Sequence, residues 1–507
     1  MPNACRSLKS FKDPVHGYAD ICSELAPLID SWLLQRLRHV RQTAFAYLVY
    51  HGMEHSRFNH SLGAAHLARE VLDFVAGNTR VYYSQSGGEE LASLLQRSVA
   101  VFQLAVLLHD VGHLPFSHSS EVGLMESKLV FRVEGFERLP LRHEAYTYAL
   151  AKLGARMAEE SGLEPSLSPT LLQDIELLLK GPKSAERTRD LLGQCASHVF
   201  HKLIAGGLDV DRMDYLLRDS IYAGVRYGVF DIDRLVRMML ATPLLTEDGS
   251  LSERACQVAV LDKGISIIES FLLARFYMFS EVYLHRVVEA YNAVYARLFS
   301  LLALEGIVTP LGGGGRIELP APADIEKEKD DALTAWRALD DITMMGLIRS
   351  VASGSVDASG EARALAQMLA ERKHPKFHIF IEDQRLWGVY MSYLYGGSVP
   401  KDARPILDEL ADLQREKPLV IVRPLRVDLV SLEELGIYDR ATGEVVLLEE
   451  AEKKLRDPHG LGRLRSLAEL SLYRIAVFAP KQYEGEAEKA RKLLAELKAA
   501  LDSSQKR

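Results

Sequence analysis

Cysteine is scarce in this chain: four residues in 507, Cys5, Cys22, Cys195 and Cys256, widely spaced and with no CxxC pair. That spacing excludes a paired-cysteine motif and predicts four reduced, separately placed thiols in a cytoplasmic protein. Long apolar runs are missing too. None approaches the ~18 residues a membrane span requires, and the opening segment MPNACRSLKSFKDPVHG lacks the apolar stretch of a signal peptide, so no anchoring or targeting is expected. A cationic surplus is also absent: 61 Lys and Arg stand against 69 Asp and Glu, a net charge of −8. With no global basic field, nucleic acid is not favoured as the main partner, although a local basic pocket is compatible with these numbers.

The chain is 48% hydrophobic and 26% charged, enough to bury a large core, and its length suits two to four domains. Apolar residues recur at helical spacing through most of the first 300 positions. IDSWLLQRLRHVRQ (29–42), with Asp30 as candidate cap, SLGAAHLAREVLDFVA (61–76) and the nearly all-apolar LQRSVAVFQLAVLLHDVG (95–112) read as helices, the last of them central. Residues 265–306 carry one very long helical pattern or two joined. The texture changes over 306–330, where VTPLGGGGRIELPAPADIEKEKDD reads as an exposed loop. Its glycines lack the Gly-Lys-Ser/Thr of a phosphate-cradling loop. Helix resumes over 331–415. From 416 to 507, PLVIVRPLRVDLV, LGIYDRATGEVVLLEE and LYRIAVFAP read as strands, the middle one a hairpin turning at Ala441-Thr442-Gly443. The expected fold is mostly α: a helical core over 1–305, the loop, a helical extension, and a small C-terminal α+β module.

One segment needs a polar purpose. AVLLHDVGHLPFSH (105–118) embeds His109, Asp110, His113 and His118 in an otherwise apolar stretch, with His113 one helical turn beyond His109 and Pro115 limiting the helix. Unpartnered buried imidazoles and carboxylates cost several kcal/mol, so a cation waiting there is the simplest explanation. Two other segments offer further ligands. HSRFNHSLG supplies His55 and His60 around Arg57, and GGLDVDRMDYLLRDS supplies Asp209, Asp211, Asp214 and Asp219 among Arg212, Tyr215 and Arg218. Two imidazoles and two carboxylates make a mixed N/O site suited to Mn, Fe, Zn or Ni, with positions left for water and substrate. Arginines beside such a site suggest a phosphate.

RFNHSLG, LLHDVGHLPFSH, RHEAY and DVDRMDYLLRDS, in this order, resemble the HD-domain phosphohydrolase superfamily, and most closely its deoxynucleoside triphosphate triphosphohydrolase branch. FKDPVHGYADI, QRLRHVRQ, GVFDIDRL and YLHR extend the similarity over roughly residues 8–300, with no SAM domain expected ahead of it. Position by position, the resemblance implies metal ligands at His60, His109, Asp110 and Asp211. It implies catalytic histidines at His113, His118 and His143 with Glu121 and Glu144 beside them, His118 being the general acid toward the 5'-oxygen. Phosphate contacts fall on Arg57 and Arg212, and a sugar pocket on Gln42, Tyr215 and Asp219. The implied reaction is attack of water on the α-phosphorus of a dNTP, with Mg2+ accompanying the triphosphate, releasing a deoxynucleoside and intact tripolyphosphate.

The family's regulatory positions are partly matched. Lys9, Asp30 and Arg38 coincide with contacts to an activating guanine nucleotide, and Arg234 and Lys263 with contacts to a second regulatory nucleotide, while Leu261 replaces a further arginine. Nucleotide-dependent assembly into a dimer or tetramer is therefore expected. Three positions depart from the pattern. Glu281 stands where an arginine meets the γ-phosphate, and Glu289 and Ala290 stand where a tyrosine and a glutamine shape the sugar and base pocket. A carboxylate ~5 Å from a phosphate charge costs ~3 kcal/mol at an effective dielectric of ~20. This keeps open a phosphodiesterase or 5'-nucleotidase acting on a monophosphate, cyclic nucleotide or nucleic-acid end. A third reading, an inactive nucleotide-binding regulator, is opposed by the complete ligand set.

Overall fold

Residues Leu8–Asp13 (β1) and Gly17–Cys22 (β2) open the chain as an antiparallel hairpin. The computed structural model describes residues 5–83, 87–127, 142–181, 190–242, 256–394, 396–428, 435–447 and 471–504. Two short helices follow the hairpin, α1 (Ala26–Asp30) and α2 (Trp32–Gln35), and then a tight turn at Arg36–His39. The single helix expected over 29–42 is thus broken. Pro27 sits in the first turn of α1, where its fixed φ suits a helix start, so Asp30 ends a helix instead of capping one.

The bundle comprises α3 (Arg57–Tyr82), α4 (Gly88–Arg97), α5 (Val99–Leu108), α6 (His118–Ser127), α7 (His143–Glu160), α8 (Leu171–Lys180), α9 (Leu191–Ala205) and α10 (Val210–Ala223). Every residue of α5 is buried, which is why its sequence shows no polar face. After α11 (Ile232–Met238), the long pattern at 265–306 resolves into α12 (Ile265–Tyr277) and α13 (Arg286–Leu304), joined by a π-helical stretch at Met278–Tyr283. By length and apolarity α13 could cross a membrane, but 78% of its apolar window is buried inside the protein, as in a core helix.

The 306–330 stretch is folded, not an exposed loop. Val308–Pro310 (β5) pairs with Ile317–Leu319 (β6), and Pro322–Glu326 (α14) follows. Val308 and Leu319 have no exposed surface, because alternating apolar residues around the glycine turn reach back into the core. Helices α15 (Asp330–Ala338), α16 (Asp341–Ser353) and α17 (Gly360–Ala370) complete the bundle.

The C-terminal α+β unit begins earlier than 416. Phe377–Glu382 (β7), Ile421–Asp428 (β8) and Ser471–Ala479 (β11) form an antiparallel sheet in the order β7-β11-β8, with α18 (Gln384–Leu394), α19 (Arg404–Glu416) and α20 (Glu484–Ser504). Ile475 and Val477 enter one core with these helices, whereas Ala476 and Phe478 face the bundle, the alternation of a sheet covered on both sides. The hairpin Gly436–Asp439 (β9) and Glu444–Leu447 (β10) turns where expected but joins a different sheet. It extends Val258–Leu261 (β4) and Met239–Ala241 (β3) in the order β10-β9-β4-β3. Positions 429–430 and 448–450 of the expected strands lie outside the described residues.

The expectation of four separate thiols is overturned. Cys5 is joined to Cys22 and Cys195 to Cys256, with Cα atoms 5.0 and 4.9 Å apart. Sequence distance hid both pairs: the β1–β2 hairpin returns the chain to residue 5, and α9 packs beside β4. The thiol argument for a reducing compartment falls with it.

Candidate metal centre and active site

Four helix N-termini converge on one partly buried site. Arg57 and His60 lie in the first turn of α3, His118 and Glu121 in that of α6, His143 and Glu144 in that of α7, and Asp211 and Arg212 in that of α10. Asp209 sets the last start by accepting the Arg212 N–H at 2.8 Å. These positive helix ends favour anionic ligands. The fifth contributor is a turn, because α5 ends at Leu108 and His109, Asp110 and His113 follow its terminus instead of sharing a helix face. Thr147 of α7 secures this turn by donating to the His109 carbonyl and accepting from the Gly112 N–H. A Cβ at Gly112 would lie 2.1 Å from the His143 carbonyl oxygen, so only glycine lets α7 approach.

At the centre, ligand atoms of His60, His109 and Asp211 lie within 4.8 Å of one another. Asp110 joins them, its carboxylate 3.4 Å from His109 Nε2 and 3.8 Å from His60 Nε2. Both imidazoles are oriented from behind: His60 Nδ1 donates to Asp214 at 2.8 Å, and His109 Nδ1 donates to the Val106 carbonyl at 2.6 Å. Their buried Nε2 atoms face the Asp211 carboxylate, 2.9 Å from His60 and 3.6 Å from His109. Burial alone would depress the His60 pKa, yet the hydrogen bonds and charges of Asp211 and Asp214 raise it to about 10. His109 is raised against burial by Asp110 and Asp211. The cleft therefore demands a positive charge, and two lone pairs with two carboxylates fit a divalent metal in place of the protons.

A second cluster adjoins the first. His113 Nε2 lies 3.2 Å from Asp110, and the His113 ring stacks on His143 at 3.9 Å. Glu121 bridges His143 (2.9 Å) and His118 (3.3 Å). Glu144 lies 3.5 Å from His143 on the cluster's edge. Burial and the charges of Arg57 and His143 hold His113 well below its ordinary range, so it is neutral. The His118 side chain is 67% exposed, and although the groups packed around its ring lower its pKa by desolvation, the Glu121 charge and hydrogen bond outweigh that and raise it. Burial would raise Glu121, but His118 and His143 hold it well below the usual carboxylate range. One imidazole poised to carry a proton thus stands beside one that does not.

The phosphate and sugar positions divide. Arg57 points inward, its guanidinium on Asp110 at 2.5 Å and on the Ser117 hydroxyl at 2.9 Å. Arg212 instead binds its own cap Asp209 and the Gly206 carbonyl. Among the described residues, the buried Gln42 side-chain oxygen has no hydrogen-bond partner. Tyr215 meets Tyr283 edge to face at 6.3 Å, and Tyr283 donates to Asp219 at 2.6 Å while His55 Nε2 lies 2.6 Å from the other Asp219 oxygen. Glu281 is exposed and accepts a hydrogen bond from Ser280. Glu289 is buried and committed to Arg423 at 3.3 Å and Asn292 at 2.9 Å, and Ala290 is core. Of the regulatory positions, Lys9 pairs with Asp30 at 3.2 Å, Arg234 reaches the Lys263 carbonyl at 3.4 Å, and Arg38 lies over Phe58 at 3.8 Å.

Residues 57–219 match the family model of the HD domain. These residues are an HD domain. The chain is similar to the uncharacterized Bacillus subtilis protein YwfO, at 32% identity over 292 residues, 57% of this chain and 55% of that protein. The deoxynucleoside triphosphate triphosphohydrolase SAMHD1 of Gallus gallus is 29% identical over 240 residues, 45% of this chain and 36% of its own. The chain thus matches about half the length, or less, of these relatives. A phosphohydrolase structure from Bacteroides thetaiotaomicron superposes with a TM-score of 0.60 at 23% identity, covering 94% of this chain and 100% of its own, which establishes a shared fold.

Asp13 and His16 are among the supporting residues that escaped sequence reading of the HD domain's site. Asp214 also meets His16 Nε2 at 2.7 Å and a bidentate Arg218, which in turn pairs with Asp13 at 2.9 Å. Asp13 and His16 belong to DPVHG at the turn of the β1–β2 hairpin, and no local pattern links them to His60. A Cβ at Gly63 would lie 2.0 Å from Arg218, so the glycine of RFNHSLG leaves room for this network.

Proposed function

We propose that the protein is a metal-dependent phosphohydrolase that cleaves dNTPs to deoxynucleoside and tripolyphosphate. The observation that carries this reading is the contact between two chemically distinct clusters, His60/His109/Asp110/Asp211 and His113/His118/His143/Glu121, through Asp110. A divalent metal held by the first cluster would polarise a phosphoryl oxygen and lower the pKa of water. Arg57 and the converging helix ends neutralise phosphate charge. His118, whose hold on its proton Glu121 strengthens, supplies the proton to the departing 5'-oxygen. Tyr215 walls the sugar, and the unpartnered Gln42 oxygen is free to accept from its hydroxyl. The two glutamates do not oppose a triphosphate, because Glu289 is neutralised by Arg423 and Glu281 faces solvent. The reading extends to an activating guanine nucleotide or dNTP bound by Lys9, Asp30, Arg38, Arg234 and Lys263, and to a homo-oligomer.

The test is incubation of Mn2+-loaded protein with each dNTP, with and without GTP, and separation of products by ion exchange. Tripolyphosphate with free deoxynucleoside, lost in Asp211→Ala, is the expected result. Turnover of nucleoside monophosphates or bis(p-nitrophenyl) phosphate without any tripolyphosphate would replace it by the phosphodiesterase or nucleotidase reading.

A further inference from the structure

The loop that presents His118 is strained. Phe116 and Ser117, neither of them glycine, both have φ of +54°, a left-handed conformation that L-residues adopt only when their surroundings impose it. The imposing groups come from outside the HD domain. Asp341, at the start of α16 and 1% exposed, accepts the Phe116 N–H at 2.7 Å and the Arg41 N–H at 3.0 Å, and pairs with the Arg41 guanidinium at 3.5 Å. Three residues before Phe116, Arg36 donates to the His113 carbonyl at 2.9 Å while also binding the Trp336 and Leu339 carbonyls at the end of α15. Trp336 is sandwiched between the Arg36 guanidinium at 4.4 Å and Tyr146 of α7 at 4.5 Å.

We propose that Asp341 is a positioning residue for the catalytic loop. It holds residues 113–118 in the left-handed turn that aims His118 at Glu121 and His143, and that sets the Ser117 hydroxyl to receive Arg57. Arg57 then reaches Asp110, so α16 is linked to the metal centre through three hydrogen-bonded groups. A buried carboxylate is costly unless its hydrogen bonds are fully used, and Asp341 spends both oxygens on the loop and its neighbour. The inference rests on the proposed catalytic role of His118.

The experiment compares full-length, Mn2+-loaded wild type with Asp341→Ala and Asp341→Asn, the latter keeping one acceptor oxygen. Three quantities are read: amide exchange in a peptide spanning Phe116, bound metal per chain, and kcat and KM for dNTP hydrolysis. Asp341→Ala is expected to exchange faster at this peptide and to lose at least about tenfold in kcat, with KM and metal content little changed, since small misplacements of catalytic groups are costly. Asp341→Asn is expected to recover part of both losses, and it decides the matter if the alanine variant does not fold. Unchanged exchange, or faster exchange with kcat within twofold of wild type, overturns the proposal. Absence of tripolyphosphate from the wild type would instead sink the dNTP reading, while the exchange measurement would still decide whether Asp341 holds the loop.

Discussion

His60 can offer Nε2 to a metal because Asp214 accepts a hydrogen bond from its Nδ1–H, and Asp214 is itself held by His16 and Arg218. Loss of such support lowers metal affinity by roughly 10–100-fold. Asp214→Asn is therefore expected to weaken Mn2+ binding by that factor in a calorimetric titration, and unaltered affinity would exclude the orienting role. A second expectation concerns pH. In the proposed role of general acid His118 acts when protonated, so kcat is expected to fall as pH rises through its pKa, which Glu121 raises above the ordinary value. Replacing Glu121 with Gln removes that charge and hydrogen bond. The alkaline limb of the kcat profile should then move to lower pH, and a limb that stays in place assigns the proton to another group.

At the level of elements, the site is an assembly of helix starts gathered around one turn. The residues RFNHSLG, HDVGH, RHEAY and DVDRMD were recognisable because each is a short local signature at a helix end. Their partners in DPVHG, at Tyr283 and at Asp341 were not, since each reaches the site through contacts between segments far apart in the chain. The cysteine pairs repeat the lesson. Mass spectrometry after alkylation without reductant should find Cys5, Cys22, Cys195 and Cys256 unmodified, and all four should be labelled once reduced and unfolded. Labelling before reduction would return them to the separate thiols expected from spacing alone.

Across the whole molecule, the C-terminal unit is fastened to the bundle through a buried ion pair. Glu289 on α13 meets Arg423 on β8, with side chains 6% and 12% exposed. Removing one partner of a buried pair typically costs roughly 3–5 kcal/mol because the other charge is stranded. Arg423→Ala should lie toward the low end, since Asn292 still bonds Glu289. Chemical denaturation measures it, and a loss under about 1 kcal/mol would show that the pair does not fasten the units.

The sequence by itself determined the helical class, the strands of the tail and the residues that gather at the candidate metal centre, because period and short motifs are local properties of a chain. Tertiary structure alone decided that Glu289 serves an interface, that 306–330 folds into the core, that the cysteines pair, and that segments before and after the HD domain bond the turn ahead of His118. Such facts depend on which distant surfaces must bury their apolar area together and on which buried polar groups must then find partners, and neither is written in any one segment.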